Sequence, residues 1–212
     1  MIKVDTFLSC HHSQESTEGD IQMESLSLKT ASKKEISPLK VTSIVRNTGV
    51  VIGGTLLLAL ASKISIQFEP VPITMQSMAV FFIGMMFGAR MAAATLLCYI
   101  AELACGLPFA SGFKTGLPLL FGPTGGYVFG WLLAAIVSGA LVERGWGKTP
   151  VSCFFSQILG SIPMYALGLI FLSQFVGLKA SFDLGFTPFI LGDILKISAL
   201  SLIVPFLRTK RK

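Results

Sequence analysis

The stretch TPFILGDILKISALSLIVPFL, Thr187 to Leu207, is apolar apart from a few hydroxyls and two charges, Asp193 and Lys196. A helix of about 20 residues crosses the hydrocarbon of a bilayer. A charge near the centre of such a helix costs roughly 2.5–3.5 kcal/mol even on lenient insertion scales. Spacing of i, i+3 puts the carboxylate and the ammonium on one helix face, close enough to pair. An acid and a base held together inside a membrane segment point to a binding site. The alternative is a purely structural pair, which is the weaker reading because burying two charges is costly.

The rest of the chain has the same character. Of 212 residues, 52% are hydrophobic and 13% charged, and the mean hydropathy is +0.73. That composition predicts a membrane protein rather than a soluble domain. The 17 Lys and Arg outnumber the 11 Asp and Glu. They lie in short connections and at the C-terminus, the pattern that sets membrane orientation, not on one basic face that would bind nucleic acid. The two histidines, His11 and His12, are adjacent in a polar stretch, and the four cysteines are scattered without a CxxC. Neither set predicts a metal site.

Residues 1–40 are polar and lack apolar periodicity, so they read as a mobile cytoplasmic tail with no signal-peptide character. Residues 41–212 read as an all-α domain with six transmembrane helices, at about 44–62, 75–88, 89–105, 123–142, 150–177 and 187–207. The second and third are short, and Gly88-Ala89-Arg90 joins them. A tight hairpin there keeps Arg90 at a surface. Five spans, with one long helix over 75–105, is the competing count. With six, Arg46, Arg90, Arg144, Lys148 and Arg208 gather on one side, and Lys63, Lys114 and Lys179 on the other. The first side is then cytoplasmic and holds both termini.

This topology brings polar residues of four spans to the outer third of the membrane. They are Gln76, Glu102, Tyr127 and the Asp193–Lys196 pair. A pocket open to the exterior, taking a small polar ligand, follows. Glu102 can equally snorkel to the interface, and Tyr99 and Tyr127 suit an aromatic belt as well as a ligand wall. Small residues at spacing four form packing faces: Gly126, Gly130, Ala134 and Ser138 on the fourth span, Gly84, Gly88 and Ala92 near the second, Thr55 and Ala59 on the first. No GxxxxGK[ST] occurs, so there is no P-loop for ATP. No nucleophile–base constellation and no cofactor motif appear, and no catalytic residues are assigned.

Four motifs, PVPITMQ at 70–76, GLPFA at 106–110, GPTGGY at 122–127 and PFILGDILK at 188–196, resemble in order and spacing the BioY family. These are biotin-binding S-components of energy-coupling factor transporters. The resemblance spans about residues 44–208 and implies a multi-pass protein of the bacterial inner (plasma) membrane. It implies biotin as ligand, no cofactor, and a partner module of one transmembrane coupling protein and two ATPases. On this reading Asp193 accepts from a ureido N–H, and Lys196 donates to the ureido carbonyl or pairs with the valerate carboxylate. Gln76, Ser111 and Tyr127 add hydrogen bonds, Tyr99 and Phe109 apolar walls, and Glu102 a further polar contact. The first helix, through Thr55 and Ala59, is expected to dock the coupling protein, although Lys63 departs from the family pattern there. Three rival functions are an S-component for another vitamin, a membrane enzyme using Glu102 or Asp193, and a scaffold without ligand.

Overall fold

The computed structural model describes residues 38–66, 70–113 and 116–210. The chain divides into two units, Met1–Val45 and Arg46–Lys212. The tail expected at residues 1–40 lies almost wholly outside the described residues, as do Lys114, Arg211 and Lys212.

Helices dominate. They are α1 (Pro38–Lys63), α2 (Gln76–Ala104), α3 (Leu117–Phe121), α4 (Gly125–Leu141), α5 (Pro150–Val176), α6 (Leu178–Gly185) and α7 (Thr187–Lys210). A two-stranded hairpin, β1 (Ser65–Ile66) and β2 (Ile73–Thr74), lies between α1 and α2, with Ser65 opposite Thr74. A π-helical turn, Val142–Trp146, prolongs α4. Among the described residues, five stretches are long and apolar enough to cross a membrane: 44–63, 76–104, 125–146, 150–176 and 178–209.

The second of these is folded in two. Gly88 has φ 82° and ψ 171°, outside the helical region. Such a φ costs a residue with a Cβ far more than glycine. Across the break, the Gln76 amide donates to the Tyr99 hydroxyl at 2.7 Å. A straight helix would separate residues 23 apart by roughly 35 Å at 1.5 Å per residue. The chain therefore turns back at Gly88. The two groups freed by the break find partners: the Ala89 N–H donates to Glu143 (3.0 Å) and Arg208 donates to the Met85 carbonyl (2.5 Å).

Two ends of the bundle are thus defined. Gly88, the π-turn and Arg208 mark a basic end. The β-hairpin, α3 and α6 mark the other, the hairpin end. The segment 178–186, which the six expected spans leave as the connection between the fifth and sixth, is mostly the short helix α6, preceded by Gly177 with φ 83°.

Glycines let the central helices touch. A Cβ on Gly126 would lie 2.3 Å from the Leu167 carbonyl, one on Gly130 2.7 Å from Met164, and one on Gly84 2.6 Å from the Ala135 carbonyl. The small face of α4 is therefore used inside the fold, against α5 on one side and α2 on the other. α7 lies across α2 and α5. The main core gathers Leu58, Val80, Ile83, Leu96, Leu200 and Val204. α1 is the exception. Only 22% of its apolar window is buried, against 56% for that of α4.

Candidate functional site

The turn of α7 that starts after Pro188 places Asp193 and Lys196 against α2, α5 and the β-hairpin. They pair at 3.0 Å with side chains only 10% and 11% exposed. Lys196 also donates to the Thr74 carbonyl at 2.8 Å and to the Ser77 hydroxyl at 3.2 Å. Three donors of an ammonium are thereby used. Asp193 accepts from Lys196, from the Tyr165 hydroxyl at 2.6 Å and from Ser77 at 3.4 Å. The pair is compensated as a buried charge must be.

Two small adjoining cavities open beside it. One, about 40 Å³, is lined by Ser77, Met164, Tyr165, Phe189, Asp193 and Lys196. The other, about 50 Å³, is lined by Gln76, Tyr99, Leu103, Ser111, Leu119 and Thr124 among others. Val71, Pro72, Thr74, Tyr127 and Trp131 border both. These shared residues are the partition between them. Val71–Thr74 belongs to the connection after α1, and Tyr127 and Trp131 lie one turn apart on α4.

Tyr127 of this partition belongs to an aromatic cluster. Tyr127 stacks on Phe189 at 6.3 Å and meets Tyr165 edge-on at 6.4 Å; Tyr165 in turn meets Phe186 edge-on at 4.9 Å. The chain has three tyrosines, and all three border these cavities. A T-shaped or offset pair adds about 0.5–1.5 kcal/mol beyond area burial.

The expected site residues divide. Asp193, Lys196, Gln76, Tyr99, Tyr127 and Ser111 line the paired cavities. Tyr127 presents its ring, because its hydroxyl donates to the Gly185 carbonyl at 2.8 Å in α6. Gln76 and Tyr99 act together, since the Tyr99 hydroxyl donates its own proton to the Phe109 carbonyl at 2.8 Å. Phe109 thus contributes main chain rather than an apolar wall, and it lines neither cavity. Glu102 also stands apart from both. Its Oε1 accepts from the Cys98 thiol at 3.6 Å, and its buried Oε2 has no partner among the described residues.

Thr55 and Ala59, expected to face a partner, point inward instead and are 2% and 8% exposed. The reason is a close internal approach. A Cβ at neighbouring Gly54 would meet Thr95 at 2.5 Å, so small residues are needed on that face by the bundle itself.

Tyr165, Ser77 and Trp131 line the same cavities without being conspicuous in the sequence, whereas Thr74 lies within the PVPITMQ motif. Ser77 directly follows the PVPITMQ motif, and that adjacency is a signal. Tyr165 carries none, because a tyrosine in an apolar helix is unremarkable until α5 meets α7.

The chain and its fold are similar to known proteins. The BioY family model matches residues 29–212. A Rhizobium etli protein named biotin transporter BioY is 37% identical over 155 residues, covering 69% of this chain and 82% of that protein. One of the same name from Thermotoga maritima is 35% identical over 159 residues, covering 74% and 91%. A Pyrococcus horikoshii protein named probable biotin transporter BioY is 32% identical over 147 residues, covering 69% and 86%. In fold, the structure is similar to a crystal structure of the S-component for biotin from an ECF-type ABC transporter. The TM-score is 0.69 at 24% identity, over 79% of this chain and 93% of that one. With its family's model matched from residue 29 to the last residue, the chain belongs to the BioY family.

Proposed function

We propose that this chain captures biotin at the Asp193–Lys196 pair and mediates its uptake across the membrane. The observation that carries the reading is the pair itself, buried in α7 beside two small, mainly apolar cavities, in a chain whose relatives are named biotin transporters. Biotin's ureido ring offers N–H donors to Asp193 and a carbonyl to the ammonium of Lys196. Its valerate carboxylate is the alternative partner for Lys196. Each would be a charge-assisted bond, roughly twice as strong as a neutral one. Gln76, Ser111 and Tyr99 supply the polar lining of the second cavity, and the Tyr127 and Trp131 rings the apolar one.

The two cavities, about 50 and 40 Å³, are far below the roughly 300 Å³ and more of a small-molecule site. The shape described is therefore closed. Joining them requires the shared wall to move, and Val71–Thr74 is its non-helical part. Retraction of that connection admits biotin, and its return covers the ligand.

The fold-back at Gly88 gives α2 two passes, so the domain crosses the bilayer six times. Arg46, Arg90, Arg144, Lys148 and Arg208 lie at the basic end and Lys63 and Lys179 at the hairpin end. The basic end is cytoplasmic, with both termini there, in a bacterial inner membrane. Biotin then enters from outside. A coupling membrane protein and two ATPases drive its release inward by tilting the subunit, since the chain carries no ATP-binding loop of its own. Because Thr55 and Ala59 face the bundle, the coupling protein docks on the outer face of α1. A Cβ added at Gly49 or Gly53 would meet nothing within 4 Å there, and Ile52, Leu56 and Leu60 are exposed.

Calorimetric titration of the purified chain tests the central reading. Saturable biotin binding at nanomolar to low micromolar affinity is expected, with no binding of a vitamin that lacks a ureido group. A flat titration with biotin overturns it.

A further inference from the structure

The largest cavity described, about 700 Å³, lies at the basic end, remote from Asp193 and Lys196. It is lined by residues of α1, α2, the π-turn and α7. Its rim carries Arg46 of α1, Lys148 after the π-turn and Arg208 of α7. Its floor is apolar, with Val50, Met86, Phe87 and Met91. One carboxylate, Glu143, also borders it, and that group is engaged with the Ala89 N–H at 3.0 Å. The three cations make no ion pair among the described residues. Arg208 gives one donor to the Met85 carbonyl. A guanidinium has five donors in a fixed fork, so most of this one is left for the cavity it borders.

We propose that this cavity is a binding site for a phosphate-bearing amphiphile, namely an anionic phospholipid of the surrounding bilayer. The phosphate sits among Arg46, Lys148 and Arg208, and the acyl chains run along the apolar floor between α1 and the bundle. Three features select this occupant. The net charge of the rim is positive and, among the described residues, Arg208 spends only one donor, on the Met85 carbonyl, which calls for an anion. The floor beneath is apolar, which a free phosphate does not use. The cavity is lined at once by α1 (Arg46, Asn47, Val50), α2 and α7, and only 22% of the apolar window of α1 is buried. A lipid filling that gap would cover apolar surface on both sides. Basic pockets between membrane helices hold lipid headgroups in this way.

The test uses the full chain in uncharged detergent, incubated with phosphatidylglycerol or phosphatidylcholine and followed by native mass spectrometry. Phosphatidylglycerol is expected to be retained on the order of tenfold better. The double variant Arg46→Gln, Lys148→Gln is expected to abolish the preference. It spares Arg208, whose loss would also free the Met85 carbonyl. Biotin affinity of the double variant, measured alongside, confirms that the bundle is folded. Equal retention of the two lipids, or a preference that survives in the double variant, overturns the site. Thermal stabilisation by inorganic phosphate as large as that by phosphatidylglycerol overturns the lipid as its occupant.

Discussion

The Tyr165 hydroxyl donates to Asp193 Oδ2 at 2.6 Å, joining α5 to α7 inside the bundle. Asp193 Oδ1 takes Lys196 at 3.0 Å and Ser77 at 3.4 Å. The carboxylate therefore has three donors before any ligand arrives. A ureido N–H must add to these or replace one. Ser77 makes the longest of the three bonds, and is the partner that yields at least cost. Tyr165 and Lys196 then hold the carboxylate in place while the ligand binds.

Tyr165→Phe and Ser77→Ala separate these roles. A hydrogen bond to a charged group contributes about 1.5–3 kcal/mol. Tyr165→Phe is expected to weaken biotin binding by about tenfold or more, because the carboxylate loses its orienting donor. Ser77→Ala is expected to cost several-fold less. Calorimetry on both variants reads the difference. Equal losses would mean that Tyr165 orients nothing that Ser77 does not.

Removing one partner of the buried pair should cost stability as well as binding. Lys196→Met keeps the apolar stem but leaves Asp193 without its cation, and breaking such a pair costs about 3–5 kcal/mol. It also frees the Thr74 carbonyl, which Lys196 holds at 2.8 Å. Asp193→Asn together with Lys196→Met is expected to recover much of the thermal stability lost in Lys196→Met alone, with biotin binding still absent. Melting in detergent and titration give the two readouts. Additive losses of stability in the double variant would contradict a coupled pair.

The parts of this site differ in how far sequence exposes them. Asp193 and Lys196 stand out because apolar neighbours make any charge conspicuous, and their spacing alone predicts the pair. The turn at Gly88 is also visible, since a glycine two residues before an arginine interrupts an apolar run. Tyr165 is hidden because tyrosine is ordinary in a membrane helix, and its value arises only where α5 meets α7. The direction of Thr55 and Ala59 is hidden for a related reason. Spacing of four marks a face but not what covers it; Thr55 and Ala59 are buried within the chain, and Thr95 lies against neighbouring Gly54. The eight-residue helix α6 resembles a loop in sequence because its length gives too few turns for a period to show.

The position of the Tyr127 ring depends on two glycines. A Cβ on Gly168 would fall 2.4 Å from the ring, and one on Gly185 2.4 Å from its hydroxyl. Overpacking of this kind costs about 1–3 kcal/mol. Gly168→Ala is expected to push the ring into the shared wall of the two cavities and lower biotin affinity by about tenfold. Gly192→Ala, where a Cβ meets nothing within 4 Å, serves as the control in α7. It is expected to bind as the parent does. Equal loss of binding in both would mean that the effect is not specific to the Tyr127 ring.

The turn at Gly88 carries the proposed six-pass topology, and labelling can test it. On a background with Cys10, Cys98, Cys105 and Cys153 replaced, single cysteines at Arg90, Lys148 and Lys179 are made in sealed vesicles. Arg90→Cys and Lys148→Cys are expected to react with an impermeant maleimide from one face, and Lys179→Cys from the other. Arg90 lies at the basic end because the chain reverses two residues earlier, where φ is 82°. A single straight helix would instead carry position 90 to mid-membrane, where the reagent cannot reach. An unreactive Arg90→Cys beside a reactive Lys148→Cys would therefore return the count to five.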